Sequence, residues 1–398
     1  MSVLRQMVAR DPGEPHRAAT QLELFFDLVS VIALASATAA FHHAISYGHG
    51  PDLLLNFCFM IAAIWWPWVN HTWFASAFDN DDAVYRIFTI VIMSGYLLFA
   101  AGATHILETM DFTYGVIGWI AMRIGMVGLW LRAAAHSPEY SAPALIYAIG
   151  LIIAQALWVV MYFTITPENA NFIPIYVGIF VIELLVPVAS GLVKGIPFHR
   201  HHVIERYGLL NIIVLGEVLL SISFMFGELY DGHFDWALVS AAVAGIVIVF
   251  CIWWLYFIEP DHLNSTQAHR VFLWGYGHIA IFLAGTLIAA GLGAHMDVLT
   301  DHSKIDLASA NAYVGAAVAI YVLGLWAIRD HFGGFGRRGV VLPISGLTLI
   351  AAAFVGAQPW TIAIILMIIL GLRIKQQETQ SKMSRAADNA ALVPFYDD

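Results

Sequence analysis

Charged residues make up only 12% of this 398-residue chain, and several of them fall inside long apolar runs. A charge in hydrocarbon costs about 2.5–3.5 kcal/mol on insertion scales, so ionisable groups there default to pathways, relays or ligand contacts. The first run opens ELFFDLVSVIAL, placing Glu23 and Asp27 four residues apart and therefore on one helical face. A later run, ERYGLLNIIVLGEVLL, carries Glu217 about three turns in, near its middle. Carboxylates at related positions in the two halves suit a cation or proton relay. Arg123 and Glu183 are also central in their runs; they suit either the same relay or a buried pair that fixes helix packing. His71 and His278 suit a relay or an interhelical hydrogen bond equally well.

These side chains must be positioned by membrane helices. The chain is 60% hydrophobic, against roughly 45–50% apolar and about 25% charged in soluble domains. At about 20 apolar residues per span, the runs predict spans near 22–45, 53–75, 84–107, 113–135, 143–165 and 171–193, then 207–229, 235–258, 270–293, 308–328, 339–357 and 359–373. The last two are short enough to form a re-entrant pair. With an inward N-terminus, every one of the 18 basic residues except Lys304 and Arg123 falls on the inner side. That asymmetry predicts an even number of spans with both termini cytoplasmic. The expected fold class is all-α, a polytopic transmembrane bundle of about 12 helices arranged as two parallel six-helix repeats. Its parts are a cytoplasmic segment (1–20), a first repeat (21–193), a cytoplasmic linker (194–206), a second repeat (207–373) and a disordered cytoplasmic tail (374–398). The N-terminal segment has no apolar core of signal-peptide length.

A net charge of −10 gives no basic patch, so nucleic acid is not expected as a partner. Cys58 and Cys251 lie in apolar runs and offer neither a disulfide framework nor a thiolate metal site. Seventeen histidines show no HExxH or Cys/His spacing, so no metal and no cofactor are expected. His199, His201 and His202 read as a solvated basic patch near lipid headgroups. In FDNDDAVYR (78–86), Asp79 and Asp82 precede Arg86; an acid here caps a helix start or lines an acidic vestibule. Expected partners are membrane lipids and a small solute or ion, with homo-oligomerisation left open.

The two halves share ordered motifs at offsets near 184–196 residues. Trp65-Trp66 recurs as Trp253-Trp254, Arg86 as Arg270, and LLFAAGATHI (97–106) as LIAAGLGAHM (287–296). Six-span units begin and end on one side, so their copies would be parallel, with a cavity between them. Arg17 lies ten residues before Asp27 and Arg206 eleven before Glu217. That is about 15–17 Å along a helix, too far for a salt bridge within one span. Glu23 and Glu205 are then the nearest acids for the two arginines, and Asp27 and Glu217 need partners on neighbouring helices or in cavity water.

HRAATQLELFFDLVSVIAL (16–34), WFASAFDNDDAVYR (73–86), ERYGLLNIIVLGEVLLS (205–221) and GYGHIAIFLAGTLIAAGLG (275–293) together resemble the bacterial low-temperature-requirement A family. The positions matching its motifs are Arg17, Glu23, Asp27, Asp79, Asp82, Arg86, Glu205, Arg206, Glu217 and His278. Ser30 stands where members usually carry Phe. The resemblance implies a multi-pass protein of the bacterial inner membrane; the family's name reflects a cold-growth phenotype and brings no substrate. Arg17 with Phe25-Phe26-Asp27 is also similar to the first helix of two-repeat, six-helix potassium channels. The leading expectation is a transporter or channel for a small solute or ion, open to proton coupling, with Asp27 and Glu217 lining a cavity. The alternatives are an intramembrane enzyme acting on lipid or polyprenyl substrates, and a membrane sensor or assembly partner.

Overall fold

The computed structural model describes residues 4–14, 17–228, 235–259, 263, 267–333 and 337–391. All regular structure among them is helical. In chain order the helices are α1 (Gln21–Ser46), α2 (Gly50–Phe78), α3 (Ala83–Ala101), α4 (Ala103–Thr109), α5 (Thr113–His136), α6 (Ser141–Thr164) and α7 (Phe172–Val193). There follow α8 (Arg200–Glu228), α9 (Trp236–Phe257), α10 (Ala268–Leu299), α11 (Leu307–Ile328), α12 (Arg337–Phe354) and α13 (Pro359–Ala391). Among the described residues eleven helices are long and apolar enough to cross a membrane, and the segment Gly339–Phe354 is a shorter apolar helix. The expected third span is broken at Gly102 into α3 and the short α4. Leucine, isoleucine and phenylalanine side chains stand exposed along nearly every span, among them Ile124, Ile152, Phe163, Leu185 and Phe250. Water would not tolerate so much apolar surface; hydrocarbon does.

Local chemistry fixes the helix ends. Thr20 and Glu23 form a reciprocal capping box at the start of α1, which satisfies two of the otherwise orphaned first-turn donors. Asp82, Asp235 and Asp306 cap α3, α9 and α11 through their carboxylates. Gly48, at φ 86°, supplies the left-handed residue that turns α1 into α2. Pro67 lies inside α2 and has no N–H for the carbonyl of Ala63, four residues earlier. That carbonyl instead accepts a hydrogen bond from Trp119 Nε1 of α5 at 3.1 Å, the kind of repair that lets proline persist in membrane helices.

The chain divides into two compact units, 1–217 and 218–398. This boundary falls within α8, not in the 194–206 linker. Helix α8 begins at Arg200, and its first turns carry side chains into the charges of α1, which ties them to the first unit. In that unit α3 and α5 approach closely at Gly95 and Gly118: a Cβ on Gly118 would sit 2.6 Å from the carbonyl oxygen of Gly95. Small residues let membrane helices come this near. The N-terminal segment is ordered along the same end. Arg10 N donates to Ala77 O at 2.9 Å, and Ser137 Oγ donates to Met7 O at 2.7 Å.

In the second unit, Arg373 bridges Glu259 and Asp330 at 2.9 and 3.0 Å, and Arg329 also pairs with Asp330 at 2.9 Å. The expected disordered tail is helical as far as Ala391. Its Lys, Gln, Glu, Met and Ala residues are strong helix formers with no Gly or Pro to stop them, so they extend the last span; residues 392–398 lie outside the described residues. One motif pair of the two halves differs in exposure: Trp65 and Trp66 are 3% and 0% exposed, Trp253 and Trp254 40% and 50%.

Candidate functional site

The buried charges of the first unit gather in two places. The first is at the end where α1 begins, α2 finishes and α8 starts. Thr20 caps α1 and turns Glu23 and Asp27 inward on one face; both are fully buried. Arg206 of α8 reaches Asp27 through Nε at 3.0 Å and Nη2 at 2.5 Å. Its Nη1 lies 3.3 Å from Glu23 Oε1. His202, one turn earlier on α8, places Nε2 3.1 Å from the same Glu23 oxygen. Trp68 of α2 donates its indole N–H to Asp27 Oδ1 at 2.7 Å. Arg17 completes the group at 3.9 Å from Glu23, while its guanidinium donates to the carbonyls of Ala75 and Ser76 at the end of α2.

Two residues four apart on α1, both acids, thus face two residues four apart on α8, both bases. Sequence reasoning found three of the four rungs as charged candidates but placed His202 in a solvated patch. His202 is instead fully buried, and His199 is buried with Nε2 2.7 Å from Glu14 O; only His201 is exposed. The missed signal was the His202–Arg206 spacing, which mirrors Glu23–Asp27. Arg206 takes both Glu23 and Asp27, and Glu205 beside it is exposed. Glu217 is half-buried and lies about 16 Å farther along α8 than Arg206, so Asp27 and Glu217 are not brought together.

The loop from α2 to α3 flanks this group. Asp81 pairs with Arg86 at 2.7 Å, and Asp82 accepts from Arg132 at 2.8 Å, Arg5 N at 2.7 Å and Tyr85 N at 2.9 Å. Burial works to raise the Asp82 carboxyl, but those hydrogen bonds, Arg132 foremost, outweigh it and hold the group well below the usual range. Asp79 behaves oppositely. Burial first, and the Glu23 carboxylate second, push it up to about 6, against which Asp81 N and Arg17 pull only weakly. The helix-cap reading of this loop accounts for Asp82, and ion pairing accounts for Asp81.

His71 is fully buried, stacked on Phe26 at 3.9 Å, with Nε2 3.4 Å from Thr89 Oγ1 and no hydrogen-bond partner at Nδ1. His278, in the second unit, contacts Trp274 O through Nδ1 at 2.7 Å and Tyr256 OH through Nε2 at 3.0 Å. A carbonyl only accepts, so Nδ1 carries the proton and Nε2 receives the tyrosine hydroxyl.

The second place lies deeper among α2, α5, α6 and α7. Arg123 Nη2 lies 2.6 Å from each oxygen of Glu183, and the indoles of Trp66 and Trp158 donate to the same carboxylate at 2.8 and 3.2 Å. The guanidinium also sits 4.8 Å from the centre of the Trp119 ring. Arg123 and Glu183 are thus a buried pair. Above them a cavity of about 430 Å³ opens at the end of the unit opposite the first cluster. Trp119, Gln155 and Trp158 line its depth, Tyr176 and Phe172 its wall, and Asp111 and Glu168 its rim. Among the described residues no group of three His, Cys, Asp or Glu side chains has the arrangement to hold a metal ion.

A family model described as bacterial low temperature requirement A protein matches residues 18–374. An uncharacterized protein of Rhizobium meliloti (strain 1021) is 23% identical over 353 residues, which cover 83% of this chain and 81% of that protein. No solved structure matches the chain.

Proposed function

The chain belongs to the bacterial low temperature requirement A protein family, and we propose that it is a transporter or channel for a small solute or ion. We place it in the bacterial inner membrane with both termini in the cytoplasm, as the distribution of basic residues favours. The two halves are read as copies of one six-helix unit. The observation that carries the functional reading is the cavity of about 430 Å³ in the first unit, which ends against the tryptophans that hold the buried Arg123–Glu183 pair. Concave sites of this size, apolar with a few convergent polar groups, are where proteins take small molecules. Gln155 is the floor's polar group: its side-chain oxygen and nitrogen are buried without hydrogen-bond partners. It sits nine residues before Thr164, the end of α6, so the cavity penetrates about 14 Å from that helix end.

A solute bound there lies on one side of the Arg123–Glu183 pair, and the Glu23–Asp27–His202–Arg206 cluster closes the other end of the same unit. Ion pairs inside a membrane can exist in two arrangements, made and broken, and that is the material of a gate. The test is charge movement and solute uptake in proteoliposomes presented in turn with cationic, neutral and anionic organic solutes. We expect saturable uptake of one class, reduced at least about tenfold by Gln155→Leu in protein of unchanged melting temperature. Folded protein that moves no solute of any class ends the proposal.

A further inference from the structure

The cavity of the first unit is chemically one-sided. Among the described residues its lining contains two carboxylates, Asp111 and Glu168, and no lysine, arginine or histidine. The walls are aromatic. Trp119 and Trp158 meet edge to face at 5.5 Å, Trp158 and Tyr176 at 4.8 Å, and Phe112 and Phe172 lie 6.3 Å apart. The polar edges of these rings are already used: Trp119 Nε1 donates to Ala63 O, Trp158 Nε1 to Glu183, and Tyr176 OH to Phe59 O. The rings therefore offer the cavity carbon and π-surface, whose negative face attracts cations. Arg123, behind Trp119, is matched by Glu183 and adds no net charge. Both rim carboxylates are held below their ordinary values by neighbouring hydrogen bonds, Asp111 chiefly by the Thr113 hydroxyl at 2.6 Å and Glu168 by its own backbone and Thr166. Both acids are exposed at the mouth, where an incoming ligand meets them first.

We propose that this cavity binds an organic cation with an aromatic or alicyclic body: the ring system lies among Trp119, Trp158 and Tyr176, the ammonium lies toward Asp111 and Glu168, and a polar substituent reaches Gln155. An anion of the same shape would meet two carboxylates and no compensating base. A fully apolar molecule would leave the buried amide of Gln155 unmatched, and leaving such a group unpaired is costly. The proposal names the substrate class for the transport reading and rests on it, but binding and flux are measured separately.

The experiment uses the full chain in lipid nanodiscs and a pair of probes matched in shape, 2-naphthylethylammonium and 2-naphthylacetate, titrated by calorimetry. We expect saturable binding of the ammonium with a dissociation constant at least about tenfold below that of the carboxylate, in keeping with cation–π and carboxylate contacts. The double variant Asp111→Asn/Glu168→Gln, on exposed side chains, keeps its fold and loses most of that preference. Gln155→Leu weakens amine probes bearing a hydroxyl on the ring more than it weakens the plain ammonium. Equal affinities, a preference for the carboxylate, no saturable binding of either probe, or a preference that survives the double variant each overturns the proposal. Binding of the ammonium without flux of any solute would refute transport and leave this site standing. Flux of an anionic solute would do the reverse.

Discussion

The acid–base ladder between α1 and α8 makes a quantitative prediction because its two sides are unequal. Arg206 serves two carboxylates, Asp27 through two nitrogens and Glu23 through a third at 3.3 Å. Breaking a buried ion pair by removing one partner costs about 3–5 kcal/mol, since the survivor keeps a buried charge. Asp27→Asn removes one carboxylate and leaves Arg206 facing Glu23, and an asparagine oxygen can still accept from Trp68. Its cost belongs at the lower limit, about 3 kcal/mol. Arg206→Leu leaves Glu23 and Asp27 one helical turn apart, with His202 on Glu23 and Arg17 at 3.9 Å as the nearest compensation. Its cost belongs at the upper limit, about 5 kcal/mol. The difference of about 2 kcal/mol is roughly a thirtyfold change in the unfolding equilibrium. Unfolding of both variants in mixed micelles, followed by circular dichroism, measures it. The reasoning is refuted if Asp27→Asn is the more damaging change, or if either costs less than about 1 kcal/mol, the worth of an exposed pair. The same preparations separate structure from function. A destabilised Asp27→Asn protein that transports normally per folded molecule ends any relay role for Asp27.

Three further outcomes are expected. Asp79 titrates at about 6 in the folded protein and at an ordinary 3.8 when unfolded, so its contribution is fully present below the lower value and is lost as pH rises through the higher one. Asp79→Asn should therefore raise the melting temperature at neutral pH, with the gap to wild type closing as pH falls toward 3.8. Gly118→Ala pushes a Cβ against the Gly95 carbonyl and should cost about 1–3 kcal/mol, as overpacking does, whereas Gly178→Ala, with open space around it, should be neutral or slightly stabilising in a thermal melt. Asp82→Ala removes the cap of α3, about 1 kcal/mol, together with the acceptor for Arg132 and Arg5 N; limited trypsin digestion should then cut at Arg5 or Arg10 markedly faster.

The membrane class and the helical spans were legible in the chain itself, because about 20 consecutive apolar residues without charge have one physical outcome in lipid. Capping by an acid was legible too: Asp82 before α3 is a local device whose partner lies three residues away. The one-face placement of Glu23 and Asp27 follows from helical periodicity alone. What opposes that face does not. Arg206 lies 179 residues from Asp27 and His202 as many from Glu23, and only packing α8 against α1 decides that the four side chains interlock. Tertiary structure likewise brought together Arg123 and Glu183, which the sequence offered as either a relay or a buried pair, and set two tryptophans on the carboxylate. It also hid two of the three clustered histidines that composition assigned to water, His199 and His202, because burial depends on which helices cover a residue and not on its own polarity. The aromatic cavity left no mark in the sequence, since tryptophan, tyrosine and phenylalanine are common throughout membrane helices and only their convergence from α5, α6 and α7 makes a site.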